Sequence, residues 1–203
     1  MKVQHLLVAA ITAFLLSGCG SLPPMNFSVP NVGLSQKKID AELKSMTVTV
    51  ARPDEKTGNL DLQYAAMDIN GQGGGMGDQM VPQMWQTALT EALNRMAIFQ
   101  DDAAKKVNLS VKILKLDVPG SGISFTTNTT ARYEIMDRKT GDLIFTQDIS
   151  SSGTTPADFA FLGIARMRES INRAVQNNIT QFLQALETVD AQKPMFPAKI
   201  GGN

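Results

Sequence analysis

The sequence predicts an α+β domain in which a mainly antiparallel four-stranded sheet carries two helices on one face. Four segments alternate apolar and polar residues, as strands do, and two others repeat apolar residues at spacings of three and four, as helices do. Their order along the chain is β-α-β-β-β-α, and runs of strands with segregated helices are typical of α+β domains. The length of 203 residues, 43% of them hydrophobic, fits one globular domain.

The first two predicted elements are a strand and a helix, which a long connection separates. Ser45 to Ala51 alternates apolar and threonine residues, which predicts a strand. A helix is predicted from Asp78, a plausible N-cap, to Met96. Its apolar stripe should face the sheet and comprises Met80, Met84, Ala88, Leu89, Ala92, Leu93 and Met96. Trp85 follows Met84 directly and is expected to leave this stripe.

Three further strands follow as a meander. The strand from Lys106 to Val118 changes phase after Ile113, which predicts a bulge or a bend. The next runs from Ile123 to Met136 with strict alternation, as a half-buried antiparallel strand does. Asp137 to Gly141 predicts a tight hairpin into the last strand, Leu143 to Ile149.

The last strand is followed by a predicted loop and the second helix. Ser150 to Asp158 is rich in serine, glycine, threonine and proline and is interpreted as a loop. The helix is predicted from about Phe159 or Gly163 to Val189, with an apolar side formed by Ile164, Met167, Ile171, Val175, Ile179, Phe182 and Leu186. Residues 191–203 are interpreted as a flexible tail.

The N-terminus has the pattern of a bacterial lipoprotein signal. Leu6 to Leu16 is an apolar run of 11 residues, too short to span a bilayer as a helix but typical of a signal-peptide core. It ends in Leu16-Ser17-Gly18-Cys19, which resembles the lipobox. We therefore predict a signal peptide over residues 1–18, cleavage between Gly18 and Cys19, and lipidation of Cys19. A plain secretory signal with an incidental cysteine, or a buried helix, is the alternative.

This processing defines the predicted organisation of the mature chain. Residues 19–44 would be the lipidated N-terminus and a flexible tether, and residues 45–190 the folded domain. Acyl chains hold a protein on a membrane without a transmembrane helix. Gly20 follows the cysteine, where an aspartate would resemble an inner-membrane retention signal. The expected location is therefore the outer membrane, through the lipid, with the domain facing the periplasm.

Composition excludes several classes of function. The chain has 19 basic and 19 acidic residues, which argues against a charge-driven nucleic-acid binder. Its single histidine, His5, and its single cysteine, Cys19, both lie in the N-terminal segment. The rest of the chain therefore cannot build a histidine triad, a thiol nucleophile, a Cys/His zinc site or a disulfide. We assign no catalytic residue, metal or cofactor.

One loop and one aromatic residue are the candidates for binding a ligand or a partner. Gly71 to Gly77 holds five glycines in seven residues, namely Gly71, Gly73, Gly74, Gly75 and Gly77. Placed before a helix N-terminus, their backbone N–H groups could meet a phosphate, although the run is not a P-loop and a flexible loop is the favoured interpretation. Trp85 and nearby methionines could form an adaptable surface for acyl chains or proteins, with core filling as the alternative.

Other polar clusters receive structural interpretations. The acidic pairs Asp54-Glu55 and Asp101-Asp102 could in principle serve as acid and base, but both lie in predicted turns. Ser150-Ser151-Ser152-Gly153 offers hydroxyls without a nucleophile elbow and is interpreted as loop.

The combination of lipobox, element order and short stretches resembles small envelope lipoproteins with an anticodon-binding-domain-like core. These include YajG-type lipoproteins, auxiliary lipoproteins of lipid-trafficking ABC systems and the core of the curli secretion lipoprotein. The stretches are Thr130-Ala131-Arg132-Tyr133 and Lys139-Thr140-Gly141-Asp142. Some lipoproteins of this appearance carry a sugar-nucleotide acyltransferase label, but such enzymes use hexapeptide repeats and a histidine base, which this chain lacks.

Three functions from different classes follow. The leading hypothesis is a non-enzymatic outer-membrane lipoprotein that binds an envelope protein partner or its own copies. The second is a lipid or glycolipid handling module that uses a cleft between sheet and helices or the loop from Gly71 to Gly77. A carboxylate-dependent hydrolase comes third, since it needs an acid pair in a cleft.

Overall fold

The computed structural model describes residues 26–51 and 77–196. The elements are β1 (Glu42–Val50), α1 (Gly77–Met96), β2 (Lys106–Asp117), β3 (Phe125–Asp137), β4 (Leu143–Thr155) and α2 (Gly163–Leu186). They form one four-stranded sheet in the order β1-β2-β3-β4. β1 is parallel to β2, and the other two pairs are antiparallel. The predicted α+β class is confirmed.

Both helices pack on the same face of the sheet. Tyr133 of β3 shows this directly, because its hydroxyl is hydrogen-bonded to Trp85 of α1 and to Asn178 of α2. The predicted apolar side of α2 is buried from Met167 to Leu186, while Ile164 is half-buried. None of the helices in residues 26–51 and 77–196 is long and apolar enough to cross a membrane.

The predicted irregularity of β2 is confirmed. The register with β3 shifts between Ile113 and Lys115, where the alternation of apolar residues changes phase. The bulge allows Ile113, Leu114 and Leu116 all to be buried. The hairpin after β3 is also confirmed, with Gly141 in the left-handed region at φ 78°.

Several predicted boundaries differ from the structure. β4 continues through Ser150 to Thr155, a stretch that the sequence analysis interpreted as loop. Tertiary contacts account for this strand, since Ser150 shares a 2.9 Å hydrogen bond with Thr130 of β3 and the Ser151 hydroxyl donates to the carbonyl oxygen of Ala174 in α2 at 2.8 Å. α1 begins at Gly77 rather than after an N-cap at Asp78. Ile123 lies outside β3 and is exposed.

The segment before β1 contacts the domain. The sequence analysis placed residues 19–44 in a tether, but Phe27, Ile39 and Ala41 are buried. The Phe27 ring meets the Trp85 ring edge-on at 6.4 Å, and the amide of Ile39 donates to the carbonyl of Ile98 at 2.8 Å. Apolar burial and backbone hydrogen bonds therefore hold residues 26–41 against the two helices.

The described part of the predicted tail also returns to the sheet. Val189 and Ala191 are buried. Phe196 exchanges two backbone hydrogen bonds with Leu143 at the start of β4, at 2.9 and 3.0 Å. Residues 191–196 therefore lie against the domain.

Candidate functional site

Most of the residues predicted to carry function fall outside the described residues. This applies to Gly18 and Cys19 of the lipobox, to the Asp54-Glu55 pair and to the loop glycines Gly71, Gly73, Gly74 and Gly75. Gly77 is the first residue of α1. These assignments stay predictions.

Trp85 lies in the core and is inaccessible as a docking residue. It is fully buried, as are Val81 and Leu89, four residues to either side. The predicted stripe is confirmed over its second half, where Ala88, Leu89, Ala92, Leu93 and Met96 are buried. In its first half Val81 and Trp85 face the core, and Met84 is only half-buried. The spacing from Val81 through Trp85 to Leu89 contained the correct phase, because residues four apart share one face of a helix.

Trp85 belongs to a hydrogen-bonded chain inside the core. Its indole N–H donates to the Tyr133 hydroxyl at 3.3 Å, and that hydroxyl donates to Asn178 Oδ1 at 2.9 Å. Asn178 Nδ2 in turn donates to the carbonyl of Ile149 at 2.8 Å. The Tyr133 ring stacks on Phe182 with centroids 4.1 Å apart. This chain satisfies buried polar groups and ties both helices to the sheet.

The environment of Tyr133 makes it a structural group. Burial strongly raises the pKa of its phenol, because the phenolate would lose its hydration, and the hydrogen bond from Trp85 opposes this only in part. A phenol that stays protonated and is enclosed by side chains cannot serve as an acid or base toward a solvent-borne substrate.

The space between sheet and helices is filled by side chains. Its largest fully buried residues are Trp85, Tyr133, Phe182, Leu89, Ile98, Leu109, Ile113, Leu116, Ile135, Ile171, Ile179 and Leu183. A ligand cleft at this interface would have to displace them. The structure therefore gives the cleft version of the lipid-handling hypothesis no support within residues 26–51 and 77–196.

The described carboxylates have structural partners or lie in solvent. Asp101 and Asp102 are exposed in a turn, as expected. Burial by itself raises the pKa of Asp137, but the backbone N–H groups of Lys139 and Thr140 and the Lys105 ammonium outweigh it and hold the pKa below its usual value. Hydrogen bonds from Lys106 and Lys44 lower the pKa of Glu42. Within the described ranges, no three acidic, histidine or cysteine residues are placed to hold a metal ion.

The sheet face opposite the helices is polar and open. It presents cross-strand pairs such as Thr126 with Thr154, whose hydroxyls are 3.0 Å apart. Arg132 forms a two-pronged ion pair with Asp148, with N···O distances of 2.7 and 2.9 Å. Such a face suits contact with a polar partner surface more than with acyl chains.

One end of the domain carries half of the large apolar side chains that the described residues expose; the others are Leu34, Met136, Met195 and Phe196. The β2–β3 loop (residues 118–124) and the β4–α2 loop (residues 156–162) meet there, at the N-terminus of α2. They expose four large apolar side chains: Ile123 at 78% of its surface, Phe159 at 47%, Phe161 at 97% and Leu162 at 53%. We call these four residues the apolar tip. A cavity of about 570 Å³ lies between the β2–β3 loop and the start of α2, lined by Gly120 to Gly122 on one side and by Gly163, Ile164 and Met167 on the other.

The β4–α2 loop is held in place by two arginines of α2. The Arg166 guanidinium donates to the carbonyls of Ala160 and Phe161, the latter at 3.0 Å. Arg173 lies 5.3 Å from the centroid of the Phe159 ring and donates to the Thr154 carbonyl at 2.9 Å. The loop therefore has fixed contacts on its inner side while its apolar side chains project outward.

Leu162 occupies an unusual position for an apolar residue. It is the N-cap of α2 and makes no side-chain capping bond, and the first turn contains no acidic residue. Serine, threonine, aspartate or asparagine at an N-cap would satisfy a free backbone N–H and stabilise the helix. The apolar tip was not among the predicted functional residues. The run Phe159-Ala160-Phe161-Leu162 between a polar segment and the helix was the available signal.

Comparisons with known proteins give similar structures only. No protein-family model matches the chain, and no curated protein matches it either. Protein XCC0632 from Xanthomonas campestris, of family DUF330, is 9% identical over 79% of this chain and 90% of its own, with a TM-score of 0.47. The minor lipoprotein from Acinetobacter baumannii is 10% identical over 72% and 94%, with a TM-score of 0.35. At these levels the similarities say nothing about function.

Proposed function

We propose that the protein is a non-enzymatic lipoprotein, anchored in the outer membrane through acyl chains on Cys19, whose domain binds a partner in the bacterial envelope. The observation that carries this proposal is the apolar run Leu6 to Leu16, whose last residue begins the lipobox-like stretch Leu16-Ser17-Gly18-Cys19. Signal peptidase cleavage would make Cys19 the first residue of the mature chain. Acyl chains on Cys19 then hold the protein on the bilayer.

The chemistry of the described residues agrees with a binding role. The Tyr133 hydroxyl and Asp137, the groups with altered pKa that lie deepest, are engaged in core and hairpin hydrogen bonds. The hydroxyls of Ser150 and Ser151 in β4 likewise bond to neighbouring structure. The open polar face of the sheet offers a flat surface of backbone-supported side chains for a protein contact.

Acylation can be tested in cells that express the full chain. With Cys19 intact, we expect intact-mass analysis of the membrane fraction to show the chain beginning at Cys19 with a diacylglyceryl modification. An inhibitor of the lipoprotein signal peptidase should accumulate the uncleaved precursor. Cys19→Ser is the matched variant and should lose the modification. An unmodified chain cleaved at another position, or a firmly membrane-bound Cys19→Ser protein, would overturn the proposal.

The location and the partner require separate measurements. Density-gradient separation of the two membranes should place the acylated protein in the outer-membrane fraction. A photo-crosslinking residue at Asn128, on the open face of β3, should form a discrete adduct in intact cells. The same residue at Gln181, exposed on α2, is the control. Equal labelling at both positions would contradict a specific contact at the sheet face.

Lipid handling is the second candidate, since Ile123 and Leu162 of the apolar tip directly adjoin Gly122 and Gly163, which line a cavity. Native mass spectrometry of the purified protein would favour it by showing a reproducible bound lipid. A spectrum of the ligand-free protein alone would disfavour it.

A further inference from the structure

We propose that the apolar tip inserts into the interface of the membrane that carries the anchor, so that the domain stands on the bilayer with this end down. The inference rests on the proposed acylation of Cys19. It concerns how the domain is oriented once it is anchored, and the occupant of the tip is a lipid surface.

The path of the N-terminal segment sets this orientation. The amide of Ser28 donates to Asn172 Oδ1 at 2.7 Å, and seven residues later the Ser35 hydroxyl bonds to Glu187 Oε1 at 2.8 Å. The segment therefore runs in the same direction as α2, from its N-terminal half to its C-terminal end. The direction from Ser35 to Ser28 therefore points to the N-terminus of α2, where Phe161 and Leu162 lie.

The available length of chain supports the same orientation. Cys19 is nine residues before Ser28, so it lies at most about 30 Å from Ser28, whatever path the chain takes. Asn172 is nine residues into α2, so the tip end is about 14 Å further along the helix. The nine residues from Cys19 to Ser28 are therefore long enough to bring the anchor to the tip end, because the distance along the helix is about half of their full reach. The C-terminal end of α2 is about 21 Å from Asn172, so to place it on the bilayer the same residues would have to reverse direction and span about 70% of their full reach.

The chemistry of the tip matches a membrane interface. Its members are two phenylalanines, a leucine and an isoleucine on loops, so no strand or helix has to unfold to present them. Arg166 and Arg173 hold the loop through the carbonyl oxygens of Phe161 and Thr154, which leaves apolar side chains of the kind that insert into an interface facing outward. Leu162 is exposed at the N-cap of α2 and gives the helix no side-chain cap, which lowers the stability of the isolated domain. An apolar side chain at this position can instead be buried in lipid.

An environment-sensitive fluorophore at Phe161→Cys tests the proposal in the full acylated chain. Cys19 is the only cysteine and its thiol is acylated, so the dye labels position 161 alone. In vesicles of phosphatidylethanolamine and phosphatidylglycerol, we expect blue-shifted emission that brominated acyl chains quench severalfold. Leu34→Cys is the matched control, since Leu34 is 72% exposed and lies next to Ser35 at the C-terminal end of the helices. The emission of the dye at position 34 should be that of a water-exposed site.

A second variant separates membrane contact from folding. Leu162→Asp supplies an N-cap and a charge, so it should raise the stability of the domain while weakening insertion. With the reporter moved to Ile123→Cys, lipid quenching should fall severalfold on adding Leu162→Asp, although the acyl anchor keeps the protein on the vesicles. Unchanged quenching in this variant would overturn the proposal.

Each other outcome is decisive. If the protein is acylated and position 161 reports water, as position 34 does, the inference is overturned and the proposed anchor stands. The dye could instead show a blue shift that brominated lipid does not quench and that increases with protein concentration. This result would identify a second copy of the chain as the occupant of the tip and would overturn the inference. An unacylated Cys19, read by mass, contradicts the proposed function independently of the fluorescence.

Discussion

Gly153 lies where α2 passes closest to β4. A Cβ atom at this position would lie 2.2 Å from the Ala174 nitrogen and 2.4 Å from the Ser170 oxygen, both backbone atoms of the helix. Such contacts require the helix or the strand to move. The absent side chain thus determines how closely the two elements pack.

We expect Gly153→Ala to lower the free energy of unfolding by about 1–3 kcal/mol, since overpacking a tight contact has this cost. Urea denaturation followed by circular dichroism measures it. Gly33→Ala is the control, because a Cβ there meets no atom within 4 Å. Equal stability of the two variants would mean that α2 does not approach β4 this closely.

The Tyr133 hydroxyl joins Trp85 to Asn178, and its removal leaves the indole N–H of Trp85 and the Oδ1 atom of Asn178 without this hydrogen bond. We expect Tyr133→Phe to lower the free energy of unfolding by about 1–3 kcal/mol, the cost of buried groups left unsatisfied. Thr126→Val, at an exposed site of the same strand, should change it far less. A neutral Tyr133→Phe variant would contradict the buried chain of hydrogen bonds.

At the scale of elements, the β3–β4 hairpin depends on an ionised carboxylate. The folded protein holds the pKa of Asp137 below its usual value, so this group stabilises the fold above the pKa of the unfolded chain, about 3.9. The contribution is lost as pH falls through the lower, folded-state pKa.

Asp137→Asn should therefore lower the urea midpoint at pH 6, and the difference from the parent should shrink as the pH falls below about 4. Denaturation at a series of pH values checks this. Asp101→Asn is the control, since Asp101 is exposed in another turn. A difference that stays constant with pH would exclude the carboxylate as its source.

The segment before β1 behaves as an element of the fold. Phe27 is buried against Trp85, so Phe27→Ala should destabilise the protein by about 3–5 kcal/mol and shift the emission of the single tryptophan to longer wavelength. Leu34→Ala, on the same segment but exposed, should do neither. Unchanged emission in Phe27→Ala would show that the segment does not cover the tryptophan.

Local patterns predicted the elements well but not the contacts between distant segments. The phase change after Ile113 predicted the bulge in β2, and the alternation in β3 predicted which face of that strand is buried. Both features depend on residues that are neighbours in sequence. The serine-rich end of β4 and the proline-containing segment around Phe27 have loop-like compositions. Contacts with α2 and α1 decide their structure, and no local pattern records those contacts.

At the scale of the whole molecule, one hydrophobic cluster includes residues from the N-terminal segment, both helices and all four strands. We expect cooperative unfolding, with coincident urea transitions for Trp85 fluorescence and far-ultraviolet circular dichroism. The Phe27→Ala variant should move both transitions together. Separate midpoints would show that the layer around Trp85 unfolds independently of the sheet.

The row of α2 side chains along β4 has a consequence for assembly. Arg173 and Asn177 donate to the carbonyls of Thr154 and Ser152, and Phe196 pairs with Leu143 at the strand's other end. Acceptors already occupied in this way are poor templates for an incoming strand. Growth of fibrils by the addition of further copies along this edge of the sheet is therefore disfavoured.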